Sequence, residues 1–83
     1  DKKQSNGNGG NVDLIPGIGR LTQRELEIFT LIGRGLSTRE IATKLDVSAY
    51  TVQIHRNHIK DKLNLPDSSA ITYWAFQWAH HKV

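Results

Sequence analysis

Apolar residues along the chain recur at intervals of three and four positions, which is the period of an amphipathic α-helix. Four segments have this spacing, and each is preceded by a polar residue suited to cap a helix N-terminus. The capping residues are Thr22, Ser37, Ser48 and Asp67. After Thr22 and Ser37 a glutamate follows at the third position, which is the capping-box pattern. No segment alternates in the manner of a strand, so the sequence predicts an all-α fold of four helices.

The turn between the second and third helices is short. The second helix ends at Asp46 and Ser48 caps the third helix, so that only Asp46, Val47 and Ser48 join them. A short helix, a tight turn and a longer helix over about residues 48–63 form a helix-turn-helix. A generic small helical bundle is the alternative. The predicted architecture is therefore a four-helix bundle that contains a helix-turn-helix.

The composition of the chain changes near residue 20. The first residues are rich in glycine, asparagine and charge, and such a stretch buries too little apolar surface to fold by itself. We predict a flexible N-terminal tail or interdomain linker over residues 1–20, in which Leu14, Ile15 and Ile18 dock loosely on the domain. Residues 21–83 are predicted to form the folded domain. The chain has no cysteine and no apolar run long enough to span a membrane, so a cytoplasmic protein with no membrane partner is expected.

Basic residues exceed acidic residues in the middle of the chain. The net charge is +3, and the stretch from Arg20 to Leu63 contains eight Lys or Arg and five Asp or Glu. This bias favours a polyanionic partner, although many solvated helical surfaces are equally basic. No cysteine nucleophile and no pair of catalytic carboxylates is present, so no enzyme activity is expected. The chain has four histidines, with His55 and His58 three positions apart and His80 and His81 adjacent. No Cys, Asp or Glu completes a tetrahedral set with them at ligand spacing, so neither a metal nor another cofactor is predicted.

The third helix has two different faces when it is projected at about 100° per residue. One face must pack against the first two helices, and its members are Val52, Arg56, Ile59 and Leu63. The other face carries Tyr50, Ile54, Asn57 and Asp61, with Gln53 and His58 on its flanks. An aliphatic group among amides suits a DNA major groove, where amides pair with base edges and the aliphatic group meets a thymine methyl. We therefore predict base contacts from Gln53, Ile54 and Asn57; ordinary surface positions are the alternative.

Residues around this face are predicted to contact DNA phosphates. The basic members of the set are Arg39, Lys44, Lys60 and Lys62. Arg39 and Lys44 lie on the short second helix, which would cross the DNA backbone. Lys60 and Lys62 flank the base-reading face. The N-terminal amides of the second helix, around Ser37 and Thr38, form a natural phosphate site. Solvated surface charge is the alternative for each basic residue.

Several fixed motifs occur in order within residues 21–65, whose sequence is LTQRELEIFTLIGRGLSTREIATKLDVSAYTVQIHRNHIKDKLNL. They are L-T-x-R-E, G-x-S-x-x-E-I-A-x-x-L, S-x-x-T-V-x-x-H and K-L. On these motifs the chain resembles the DNA-binding domain of the LuxR/FixJ family of bacterial transcription regulators. The resemblance implies sequence-specific binding of double-stranded DNA, with the third helix in the major groove and base contacts from Gln53, Ile54 and Asn57. It also implies an upstream receiver or ligand-binding domain, with RNA polymerase as a candidate further partner.

The resemblance extends to residues outside the base-reading face. The family's phosphate contacts map onto Ser37, Thr38, Thr51, His55 and Lys62. Glu25 corresponds to the family's fixed glutamate of the first helix, to which we assign a structural role. Two positions depart from the family pattern. Tyr50 stands where a lysine is common and could donate its hydroxyl to a phosphate, and Ser68 stands where an arginine is usual.

The last helix is apolar on two sides. Its regular stripe consists of Ile71, Trp74, Ala75 and Trp78, which we assign to the core. On the opposite side, Tyr73, Phe76 and His80 are predicted to form a homodimer interface, since the family often dimerises through this helix and a two-fold dimer would read paired half-sites. The alternative is that Tyr73 or Phe76 packs under residues 14–18.

Overall fold

The computed structural model describes residues 15–81, and within this range the fold is all-helical with no strand. A short 3-10 turn, Ile18–Arg20, precedes four α-helices. The helices are α1 (Gln23–Gly33), α2 (Thr38–Leu45), α3 (Ala49–Lys62) and α4 (Ser68–Ala79). The predicted all-α architecture of four helices is confirmed. Among the described residues, no helix has the length and apolar character needed to cross a membrane.

Each helix begins at the polar residue predicted to cap it. The hydroxyls of Thr22 and Ser37 accept the backbone N–H of a glutamate, and the glutamate carboxylate accepts the backbone N–H of the capping residue, so both capping boxes are complete. Ser48 and Asp67 cap α3 and α4 through single side-chain hydrogen bonds of 3.0 Å. These bonds satisfy backbone donors that have no partner within the helix.

Three helices end in the same way, with one residue in the left-handed backbone conformation. These residues are Gly35 (φ 94°), Asp46 (φ 59°) and Asn64 (φ 59°). In each case the next residue returns a backbone hydrogen bond to the last helical turn; for α2 this bond joins Val47 N–H to Ala42 C=O at 3.0 Å. The reversal at Asp46 ends α2 abruptly and lets Ser48 start α3 at once. This geometry produces the predicted three-residue turn of the helix-turn-helix.

Helix α1 lies at the centre of the bundle and packs against the other three helices. Ile28 and Phe29 on this helix are completely buried. At its C-terminal end the backbone of α1 approaches α4 so closely that a Cβ atom on Gly33 would lie 2.0 Å from the carbonyl oxygen of Ala75. A helix that is apolar on more than one side is therefore used as the sequence predicted, as the hub of the core.

The apolar stripe of α4 lies against this hub. Ile71 and Ala75 are buried, and Trp74 and Trp78 are partly buried against the core. The indole N–H of Trp78 donates to the hydroxyl of Thr30 on α1 at 3.1 Å. The tryptophans thus pack against the core, on the side that the sequence predicted.

The packed structure begins before α1. Ile15 and Ile18, which the sequence analysis placed in the N-terminal tail with loose docking, are only 2% and 4% exposed and belong to the core. Gly17 between them has φ 89°, and a Cβ atom there would lie 3.0 Å from the carbonyl oxygen of Lys62. This segment is therefore fixed against the C-terminal end of α3. Residues 1–14, including Leu14, lie outside the described residues.

Candidate nucleic-acid interface

One face of α3 anchors the helix in the bundle. Val52 and Ile59 are completely buried, and Leu63, which follows the helix, is 6% exposed. Arg56 on the same side is partly buried, and the loss of solvent around its guanidinium lowers the pKa of Arg56 from its ordinary value. The apolar anchors fix the rotation of α3 about its own axis. The direction in which the other face points is thereby fixed as well.

The opposite face of α3 presents two amides to solvent. Gln53 and Asn57 are exposed, and the Gln53 Nε2 donates to Asn57 Oδ1 at 3.2 Å. Ile54 lies beside them but is only partly exposed. It is therefore less open than the sequence predicted, because a helical projection gives a direction but not the extent to which neighbours cover a side chain. The exposed surface of α3 is therefore polar at the two amides and apolar beside them at Ile54.

The start of α3 adds a large aromatic side chain to this face. Tyr50 is 75% exposed, the most open of the large apolar side chains in the described residues. Thr51 is partly exposed, and its hydroxyl lies 3.0 Å from that of Ser48. The hydroxyl group of Tyr50 is free to meet a ligand, whereas that of Thr51 is shared with the helix cap.

The N-terminus of α2 leaves backbone donors free. Ser37 is committed to its capping box, because its N–H donates to Glu40 at 2.8 Å and its hydroxyl accepts from Glu40 N–H at 3.1 Å. The next two amides, of Thr38 and Arg39, lie in the first turn and have no intrahelical acceptor. The side chains of Arg39 and Lys44 are exposed on the same helix. An anion at the N-terminus of α2 would therefore meet free amides and the Arg39 side chain, whereas Lys44 lies in the last turn of the helix.

Glu25 forms the polar link between α1 and α3. Its carboxylate is buried. It accepts hydrogen bonds from the ammonium of Lys62 at 2.7 Å and from the backbone N–H of Thr22 at 2.9 Å. Burial raises the pKa of Glu25, but the hydrogen bond from Lys62, that from the Thr22 backbone and the positive charge of Lys62 outweigh burial and lower the pKa below its ordinary value. Glu25 therefore has the structural role assigned to it. Lys62, predicted to contact phosphate, has an intramolecular partner that the sequence did not reveal.

Two histidines of α3 also approach this carboxylate. His58 Nδ1 lies 3.6 Å from Glu25 Oε2. His55 lies one turn before His58 on the same helix. One potential ligand atom from each of the three residues lies within 4.8 Å of the others. No carboxylate stands at ligand spacing from these histidines in the sequence. Glu25 is distant in sequence and is brought to them by the packing of α1 on α3.

The outward side of α4 is apolar. Tyr73 and Phe76 are 58% and 52% exposed, so neither is covered by residues 15–18 as the alternative interpretation required. The ring of Phe76 stacks on that of His80 with 4.1 Å between centroids. His80 is exposed, and its Nδ1 lies 3.0 Å from the carbonyl oxygen of Phe76. Aromatic surface of this kind suits a protein partner.

A short helix, a tight turn and an anchored helix with an exposed polar face define a helix-turn-helix domain of the DNA-binding class. Residues 19–75 match the model of the family described as bacterial regulatory proteins, luxR family. The chain belongs to this family. It is accordingly a DNA-binding domain of transcription regulation and not an enzyme.

Similar proteins with curated names carry the same domain. The chain is 46% identical over 57 residues to the oxygen regulatory protein NreC of Staphylococcus carnosus, and 44% identical over the same length to the proteins of that name from Staphylococcus epidermidis and Staphylococcus aureus. Each match covers 69% of this chain and 26% of the relative. The matched region thus spans about a quarter of the length of these relatives. No solved structure matches the chain significantly.

Proposed function

We propose that this domain binds double-stranded DNA sequence-specifically by placing α3 in the major groove, with Gln53, Ile54 and Asn57 facing the bases. The observation that carries the proposal is the exposed pair of amides on a helix whose opposite face is locked in the core. The major groove is about 12 Å wide and admits one α-helix. A helix held by buried anchors presents the same side chains to each site it meets.

The hydrogen bond between the two amides sets their orientation. With Gln53 Nε2 donating to Asn57 Oδ1, the Gln53 carbonyl oxygen and the Asn57 amino group remain free for base edges. Amides commonly pair with adenine, which offers one acceptor and one donor in the major groove. Ile54 supplies an apolar edge suited to a thymine methyl. These features favour a site that contains A·T pairs beneath the first turns of α3.

Phosphate contacts surround this surface in our proposal. They come from α2 with its capping residue and from α3, and the set is Ser37, Thr38, Arg39, Lys44, Tyr50, Thr51, His55, Lys60 and Lys62. Lys62 is the weakest member, because a phosphate must compete with Glu25 at 2.7 Å for its ammonium. Such contacts set register and affinity without reading sequence.

Substitution of the two amides tests base reading. Preferred duplexes are selected from a random pool with the wild-type chain, and affinity is then measured for Gln53→Ala and Asn57→Ala. Each variant should lose about 1–3 kcal/mol on the selected duplex and relax preference at one or two base pairs. Gln23→Ala, which removes an exposed amide from the start of α1, is the matched control and should bind as the wild type does. If both α3 variants keep the sequence preference of the wild type, Gln53 and Asn57 do not read bases in the major groove.

The phosphate set is tested by salt dependence. Arg39→Gln and Lys44→Gln should each weaken binding to all duplexes alike and lower the slope of log affinity against log salt by about one. Arg24→Gln is the control, since its guanidinium already pairs with Glu27 on the surface of α1 at 3.2 Å. A slope that stays constant in both α2 variants would exclude the side chains of Arg39 and Lys44 from the phosphate contacts.

We also propose that two copies of the domain pair on DNA through Tyr73, Phe76 and His80. The exposed aromatic side of α4 supports this assignment. Phe76→Ser should abolish cooperative binding to a duplex with two half-sites, while binding to a single half-site persists. Sedimentation of the protein–DNA complex reports the number of copies. Equal cooperativity in the wild type and the variant would exclude α4 from the interface.

In the full-length protein, we propose that this domain is the output module of a longer regulator. The share of its relatives that it spans supports this proposal. A receiver or ligand-binding domain would precede it, joined by the residues before Ile15, and RNA polymerase is a proposed further partner. A full-length chain whose DNA affinity is the same with and without activation of the preceding domain would exclude regulation through this route.

A further inference from the structure

Three side chains with metal-binding chemistry meet where α1 packs against α3. Glu25 comes from α1, and His55 and His58 come from successive turns of α3. One ligand atom from each lies within 4.8 Å of the other two. The two imidazole rings stand edge to face with 6.4 Å between centroids. DNA recognition does not require these three residues to meet.

The two oxygens of the Glu25 carboxylate have different surroundings. Oε1 accepts from the ammonium of Lys62 at 2.7 Å and from the Thr22 backbone N–H at 2.9 Å. Oε2 lies 3.6 Å from His58 Nδ1, which is too long for a hydrogen bond. One oxygen is therefore committed to the fold. The other remains open to a ligand on the side of the histidines.

The two histidines differ in exposure: His55 has a buried ring nitrogen, and His58 has an accessible side chain. His55 Nδ1 is buried and has no hydrogen-bond partner among the described residues. Buried polar atoms are nearly always partnered in folded proteins, so this nitrogen is unusual. The side chain of His58 is 55% exposed, which gives an incoming ion a path from solvent.

We propose that Glu25, His55 and His58 bind one divalent transition-metal ion, and that zinc is the occupant. Two imidazoles and a carboxylate are a ligand set that zinc uses with a fourth position left for water. At zinc–ligand distances of about 2.0–2.2 Å, the ligand atoms must come within about 3.3 Å of one another. Rotation of the exposed His58 side chain provides this approach. The ion ties α1 to α3, and the nearby Lys62 charge keeps its affinity below that of a closed four-ligand site.

Zinc titrated into the 83-residue chain tests the site by calorimetry and by thermal unfolding. One equivalent should bind, and at a free zinc concentration of about ten times Kd the Tm should rise by about 5–10 °C. His58→Gln removes a ligand from an exposed position and should leave the circular dichroism spectrum unchanged. It should weaken zinc binding at least tenfold, since even outer-shell partners of metal ligands cost about 10–100-fold. His55→Gln should weaken binding to a similar extent.

An exposed histidine just beyond α4 provides the matched control. His81→Gln removes one exposed imidazole, as His58→Gln does, but from a position outside every proposed site, and it should leave zinc binding intact. Absence of binding at 100-fold molar excess of zinc would overturn the proposal and leave His58 as a simple partner of Glu25. Binding that survives in His58→Gln, or that disappears in the control, would overturn it by placing the ion elsewhere. These readouts use no DNA, so the result is independent of the proposed DNA contacts.

Discussion

Helix α1 shares one apolar core with its two main neighbours but adds a different further contact to each. Toward α4 it uses close backbone approach, with Gly33 against Ala75, and one hydrogen bond from Trp78 to Thr30. Toward α3 it uses a buried charge, Glu25, held by Lys62 and approached by two histidines. The first contact is intolerant of volume, and the second is sensitive to charge and protonation. The contact that is sensitive to volume thus lies on the α4 side, and the contact that is sensitive to charge lies on the α3 side.

The largest effect should follow from adding one methyl group on the α4 side. Gly33→Ala would place Cβ 2.0 Å from a backbone oxygen of Ala75, which forces the two helices apart. We expect a loss of at least about 2 kcal/mol in the free energy of unfolding, measured by urea denaturation. Gly35→Ala is the control, because nothing lies within 4 Å of its Cβ and only its left-handed φ of 94° adds strain. A loss no larger than that of the control would mean that the helices separate at little cost.

Removing the charge on the α3 side should cost less. Glu25→Gln keeps the size of the side chain and can still accept a hydrogen bond from Thr22, but it removes the ion pair with Lys62. We expect a loss of about 1–2 kcal/mol, limited by the partial exposure of Lys62. Glu27→Gln breaks the exposed pair with Arg24 on the same helix and should change stability by less than about 0.5 kcal/mol. Equal effects of the two substitutions would remove the distinction between a buried link and a surface pair.

The same carboxylate should make the α3 side dependent on pH. The pKa of Glu25 is lower in the folded chain than its ordinary value, so the unfolded chain takes up a proton first as the solution is acidified. The stability contributed by Glu25 is therefore complete above about pH 4.3, the pKa of an unperturbed glutamate, and is lost as the pH falls further through the folded pKa. The difference in unfolding free energy between wild type and Glu25→Gln should shrink between pH 6 and pH 3. A constant difference would contradict the assigned pKa shift.

The smallest effect should come from the single polar contact on the α4 side. Trp78→Phe removes the hydrogen bond of 3.1 Å to Thr30, whose hydroxyl still donates to the Leu26 carbonyl at 2.9 Å. We expect a loss of about 1 kcal/mol. Trp74→Phe makes the same change of ring at a partly buried position where the indole has no hydrogen bond to any of residues 15–81. Similar losses in both variants would show that ring volume rather than the hydrogen bond matters.

Local features of this fold could be predicted from sequence because they depend on neighbouring residues. The capping boxes at Thr22 and Ser37 involve residues three positions apart, and the turn at Asp46 depends on a few backbone bonds. The stripe of α4 is likewise a local periodic pattern. Amide pairing between Gln53 and Asn57 follows from their spacing of four residues on one helix.

Contacts between distant residues could not be predicted in this way. The bond from Lys62 to Glu25 crosses 37 positions, and no local pattern shows which lysine meets which carboxylate. The approach of Gly33 to Ala75 depends on how two helices cross. For the same reason the histidines of α3 appeared to lack a carboxylate. The burial of Ile15 and Ile18 was underestimated because the polar residues around them dominate the composition of that segment.

The contact between Gly17 and the end of α3 ties the entry of the chain into the fold to that helix. The segment that enters the fold does not meet α1 alone; Pro16, Gly17 and Arg20 lie against Lys62, Leu63 and Asn64, at the point where α3 ends. The entry of the chain into the fold and the end of α3 are therefore packed against each other, so a displacement of one requires the other to move.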